Sequence, residues 1–122
     1  MNLDPITFEV VKHRLWQIND EQGLTIRTIA TSPIVVEGND FNVGLFTRDG
    51  ELVVAGPYVL THVTTMDAVI QNVIKSTREI NDGDMFLVND PYLGALHQND
   101  VAVVSPLYHD GQIIMKDDLN RP

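Results

Sequence analysis

Asp40, His97 and Asp100 are the side chains that first invite a chemical reading. His97 and Asp100 close the run Asn89-Asp90-Pro91-Tyr92-Leu93-Gly94-Ala95-Leu96-His97-Gln98-Asn99-Asp100. They stand three apart, near enough for an imidazole and a carboxylate to reach one ion. Asp90-Pro91 and Gly94 bend the backbone that carries them. The run separates two apolar, β-like segments, and such loops are where a rigid scaffold displays its chemistry. Asp40 precedes an earlier predicted strand, and two strand starts can lie side by side in one sheet. A mixed carboxylate–imidazole set suits Zn, Mn or Fe in the +2 state. Such an ion would polarise a carbonyl or activate water. The structural alternative is plain: Asp and Asn before strands are common turn residues.

Other groups carry two readings each. His62, in Thr61-His62-Val63-Thr64-Thr65-Met66, lies at a predicted loop-to-helix junction. It is either a substrate-facing imidazole able to act as acid or base, or a histidine bonded to the backbone of a helix cap. Glu37 and Asp90 could orient a metal-bound imidazole, while Asp90 could equally do no more than start the Asp-Pro turn. His13 reads as a surface residue of a helix and His109 as part of a turn. Scattered glycines match neither a P-loop nor a dinucleotide fingerprint, and no serine sits in a nucleophile-elbow pattern.

The elements that must position these groups follow from punctuation and periodicity. Asp4-Pro5 reads as N-cap and first position of a helix. Val11, Leu15, Ile18, Ile26 and Ile29 keep helical spacing as far as Thr28–Ser32, with Pro33 beyond. The natural use of this helix is core packing or an arm for a partner subunit. A hairpin is expected from Phe41-Asn42-Val43-Gly44-Leu45-Phe46 through Arg48-Asp49-Gly50 to Glu51-Leu52-Val53-Val54-Ala55. A second helix, capped by Thr61 or Thr64, runs to about Arg78. Met85-Phe86-Leu87-Val88 and Val101-Ala102-Val103-Val104 read as strands. His109-Asp110-Gly111 is a hairpin turn leading to Gln112-Ile113-Ile114-Met115. The fold class expected is α/β of the α+β kind: a mixed, largely antiparallel sheet with two main helices packed on it. A final strand ending near Lys116-Asp117-Asp118-Leu119-Asn120-Arg121-Pro122 leaves an open edge, covered by another chain or left by a shortened one.

Bulk composition narrows the function classes. The 122 residues suit one domain or part of one, with 43% hydrophobic and 20% charged residues. A net charge of −9 without a basic cluster argues against nucleic acid and anionic membrane as partners. With no cysteine, disulfides and thiolate ligands are excluded, so any metal is held by imidazole and oxygen. Met1-Asn2-Leu3-Asp4-Pro5 shows no signal-peptide pattern, and no apolar run approaches the roughly 20 residues that span a bilayer. A cytoplasmic location is therefore expected.

Several separated motifs, in order, resemble the hydantoinase B/oxoprolinase family. Asp4-Pro5-Ile6-Thr7-Phe8-Glu9-Val10 is similar to its opening helix, and Ser32-Pro33 through Asp40-Phe41 to its segment before the first strand. Pro57 to Met66 resembles its histidine-containing helix entry. Gly83-Asp84-Met85-Phe86 with Asn89-Asp90-Pro91-Tyr92 and His97-x-x-Asp100 resembles its signature. The likeness covers nearly the whole chain to about Met115. It implies that residues 1–122 form a single domain, the N-terminal portion of a hydantoinase B-type subunit, with N-methylhydantoinase, 5-oxoprolinase, caprolactamase and acetone and acetophenone carboxylases among the relatives. It implies a module of an ATP-dependent amidohydrolase or carboxylase complex that acts on a cyclic amide or ketone carbonyl at a divalent-metal site, Zn or Mn. ATP would be used by a partner, a hydantoinase A-type subunit, in a hetero-oligomer. By the same likeness Asp40, His97 and Asp100 would be metal ligands, and His62 and Glu37 would be catalytic groups lining the site. Two departures stand out. Gly94-Ala95-Leu96 replaces the family's Gly-Gly-Thr, and Lys116–Pro122 stands where a further histidine-rich stretch normally follows. These departures motivate the alternative, a truncated, non-catalytic assembly subunit or fragment.

Overall fold

The computed structural model describes residues 3–114. Its first element, α1, runs from Pro5 to Ile29. Asp4 caps it as its type predicts: Oδ1 accepts from the backbone N–H groups of Ile6 and Thr7, both at 3.0 Å. The Thr7 hydroxyl donates to the other carboxylate oxygen. These bonds, the Thr7 hydroxyl first, hold the Asp4 carboxyl below its ordinary pKa. The helix ends where Ala30 turns to extended backbone ahead of Pro33. A short α2, Pro33–Val36, follows; the proline that stops α1 starts it.

The hairpin forms with shorter strands than the sequence suggests. β1 is Gly44–Phe46 and β2 is Leu52–Ala55, so Phe41-Asn42-Val43 enters as irregular chain. Side-chain bonds and ring packing claim that entry instead of a ladder. Phe41 stacks on Tyr58 with ring centroids 4.3 Å apart. Asn42 donates from Nδ2 to the carbonyl of Val59 at 2.9 Å. The register slips between Leu45 and Phe46, leaving Val53 without an opposite residue.

α3 runs from Leu60 to Ser76. Neither Thr61 nor Thr64 caps it: Val59 holds the N-cap position without a side-chain bond. Thr64 lies inside the first turns and bonds back to the carbonyl of Thr61, a common alternative for a helical threonine. β3, Phe86–Val88, pairs antiparallel with β4, Ala102–Val104, setting Phe86 opposite Val104 and Leu87 opposite Val103. Their inward face meets α3 in the main core cluster: Val69, Val73 and Val88 are buried, with Phe86, Ala102 and Val104 packed around them. β5, Tyr108–His109, and β6, Gln112–Ile113, close through Asp110 and Gly111, both at positive φ, as a two-residue turn of type I′ requires.

The class is as expected, helices with antiparallel strands. Within it, the strands among the described residues form three separate two-stranded ladders. Proline at 57 and 106 follows β2 and β4 and stops each from lengthening. The expected continuation Met115 and the tail Lys116–Pro122 lie outside the described residues. No described helix is long and apolar enough to cross a membrane.

At Gly23, α1 packs on Tyr58 in the segment between β2 and α3, where an added Cβ would stand 2.1 Å from the Tyr58 hydroxyl. Helix propensity alone credits Gly→Ala with roughly 1 kcal/mol. Overpacking of a rigid contact costs about 1–3 kcal/mol, and Tyr58 is braced by Phe41. We therefore expect Gly23→Ala to lower the urea midpoint; a midpoint at or above the parent's would show that Tyr58 moves freely. A second expectation concerns pH. Asp4 titrates lower folded than unfolded, so its stabilisation is complete above the unfolded value of about 3.9 and fades as pH drops through the folded one. Asp4→Ala should depress the melting temperature at pH 7, and the gap to the parent should narrow in melts run at progressively lower pH through the carboxylate range.

Candidate functional site

The Asn89–Asp100 run folds as a turn clamped at both ends. Asp90 Oδ1 accepts from the backbone of Tyr92 at 2.9 Å, and Pro91–Leu93 make one 3₁₀ turn. The turn reading of Asp90 is thus the one its contacts bear out. Asn89 Nδ2 donates to the carbonyl of Gln98 at 3.1 Å, tying the start of the loop to its end. Asn72, from α3, donates to the carbonyl of Leu93 at 3.1 Å. Gly94 follows with φ of +107°, and a Cβ there would lie 2.9 Å from the backbone nitrogen of Val69. Only glycine meets both demands, a left-handed backbone and contact with the helix itself.

This packing lays the far end of the loop across the first turns of α3, where His62 waits. The Nε2 atoms of His62 and His97 each stand 3.4 Å from the same atom, Asp100 Oδ2. The His62 side chain is 18% exposed and Asp100 27%, whereas His97 is 60% exposed. Oδ2 itself is buried and has no hydrogen-bond partner among the described residues. A buried carboxylate oxygen without a hydrogen bond is costly, and the two imidazoles are the ion-pairing groups beside it.

Of the five residues singled out in the sequence, three converge here: His62, His97 and Asp100. Asp40 and Glu37 are exposed, on the chain entering β1, and neither takes part in the ion pairs at Asp100. The backbone N–H of Asp40 bonds the carbonyl of Ile34 at 3.1 Å, a loop contact rather than a strand start. The meeting of His62 with Asp100 had no signal in spacing. Asn42 reads in the sequence only as a strand residue, yet its bond anchors Val59, the N-cap of α3, three residues before His62.

The donor chemistry suits a divalent ion. Two donors each 2.0–2.1 Å from a tetrahedral zinc stand about 3.3 Å apart, close to both contacts at Oδ2. The described residues do not complete such a site: among them, no group of three or more His, Asp or Glu side chains is arranged to hold a metal ion.

Comparison with known proteins identifies the class. The chain matches the hydantoinase B/oxoprolinase family profile over residues 4–116, and it belongs to that family. An uncharacterized protein of Methanocaldococcus jannaschii is 31% identical over 116 residues, covering 92% of this chain and 21% of its own length. The 5-oxoprolinase of Dictyostelium discoideum is 35% identical over 117 residues, covering 92% of this chain and 9% of its own. Among solved structures, nucleotide-free acetone carboxylase, described in work on ATP-dependent acetone carboxylation, superposes with a TM-score of 0.83 at 27% identity. The match covers 91% of this chain and 15% of that one. The chain therefore spans between about a tenth and a fifth of the relatives it matches.

Gly94→Ala tests the clamp. Strain at positive φ exceeds about 1 kcal/mol, and the collision is with helix backbone, which cannot step aside as a side-chain tip can. A loss of about 2 kcal/mol or more is expected in urea unfolding. A variant as stable as the parent would mean that the turn does not rest on α3.

Proposed function

We propose that this chain is a module of an ATP-dependent hydrolase or carboxylase complex of the hydantoinase B type, acting on the carbonyl of a cyclic amide or ketone at a divalent-metal site. The observation that carries this reading is the buried Asp100 oxygen facing two imidazoles, in a chain of this family. The family's relatives include a 5-oxoprolinase and, in structure, an acetone carboxylase whose reaction is ATP-dependent.

His97 and Asp100 are the proposed ligands, with His62 the nearest further donor at the same carboxylate oxygen. Asp40 as a ligand and Glu37 as a catalytic group rest on family likeness alone. When bound, a divalent ion such as zinc or manganese polarises a carbonyl or activates water. Asp100 supplies the negative charge that draws the cation in. His97, the most exposed of the three, faces an approaching substrate. His62, largely enclosed in the first turn of α3, holds its ring against Oδ2 and is the proposed acid–base group. ATP, in this reading, is used by a hydantoinase A-type partner subunit in a hetero-oligomer, within the cytoplasm. Residues 1–122 then act as one domain within the catalytic assembly.

The test is metal content, read by elemental analysis of the purified chain at neutral pH. Near-stoichiometric zinc or manganese is expected, falling at least about tenfold in affinity for His97→Ala and Asp100→Asn, the scale on which even supporting residues of metal sites act. A parent chain that takes up neither metal, or variants that bind as well as the parent, would overturn the proposal and leave an assembly role.

A further inference from the structure

The β3–β4 ladder is apolar on both faces. Its inner face packs on α3. Its outer face carries Met85, Leu87, Val101 and Val103, which are 72%, 74%, 55% and 59% exposed. Leu87 and Val103 are direct cross-strand partners, and the alternation of side chains places Met85 and Val101 on the same side. Strands that read as continuous apolar runs are those covered on both faces. Here one cover is missing from the described residues. A cleft between β3 and α3, lined by Met85, Leu87 and Asn72, adjoins the edge of β3 that has no strand neighbour.

We propose that this outer face is the seat of a second packing layer, supplied by the part of a hydantoinase B-type polypeptide that lies outside the region this chain matches. Two observations choose that occupant over a second copy of the chain. The body superposes at a TM-score of 0.83 on a chain of which the match covers 15%, so that relative carries this fold within a much longer polypeptide. Each copy also carries a net charge of −9, and two such copies repel. The four side chains offer no charge of their own to offset that repulsion. A layer within one polypeptide, as the longer relatives' chains allow, would avoid the entropy of association.

The test is a chimera in which residues 4–116 replace the matching region of the Methanocaldococcus jannaschii relative, compared with the free chain. Peroxide oxidation of Met85 reads coverage, because an exposed methionine forms its sulfoxide far faster than a shielded one. Oxidation at least tenfold slower in the chimera is expected. Leu87→Lys with Val103→Glu, an opposite-charge cross-strand pair, should leave the free chain's melting midpoint within a few degrees and lower the chimera's markedly. Equal oxidation of Met85 in both proteins would overturn the proposal. So would charges tolerated equally in both, a chimera that does not fold, or a free chain that dimerises with Met85 shielded.

Discussion

The contact on which the site depends is that of Gly94 with the backbone of α3. α3 carries His62 in its first turn, the Gly94 contact at Val69, and the Asn72 bond to Leu93 a little further on. One rigid helix thus sets the imidazole and the loop that must meet it. Were the loop to ride even a side chain's thickness higher, Asp100 would face His97 alone. The same Val69 is buried in the core with Val73 and Val88, so hydrophobic packing and site geometry share one residue, and neither can drift without the other.

The N-terminal end of α3, just ahead of His62, is fixed by different means. No side chain caps it; Asn42 reaches across from the entry to β1 and holds the Val59 carbonyl. The same asparagine accepts from the backbone of Val43 at 2.9 Å, so it joins two segments through both atoms of its amide. Phe41 and Tyr58 stack beside it. This is why the chain before β1 departs from strand: its polar and aromatic side chains are engaged with Tyr58 and Val59, just ahead of α3, and a ladder there would pull them away.

Much of this was legible in the sequence. Asp4-Pro5 and Pro33 bracket α1 because capping and the missing proline N–H act locally. The turn at Asp110-Gly111 and the apolar runs at 85–88 and 101–104 are also local. His97 and Asp100 are near neighbours in the chain, and their pairing could be read from spacing. What could not be read was tertiary. His62 reaches Asp100 only because Gly94 lets the loop settle on α3, and no periodicity encodes that approach. Asp40 looked like a strand start from its Asn39-Asp40-Phe41 context, yet the strand begins at Gly44 because Phe41 and Asn42 are engaged elsewhere. Threonines 61 and 64 are good cap types, but the helix begins ahead of both, where Asn42 anchors it.

The spacing of the three ladders also bears on how the site comes into being. β1–β2 and β5–β6 close over tight turns, whereas β3 and β4 join only after the whole Asn89–Val101 segment is looped back. Closing a loop of about a dozen residues costs roughly 2 kcal/mol of chain entropy before any contact rewards it, and contacts of longer range slow folding. The short hairpins and the helices can be in place while that loop is still open. Asp100 meets His62 only when it shuts, so the two imidazoles and the carboxylate share the ordering cost of the longest connection between paired strands in the described chain.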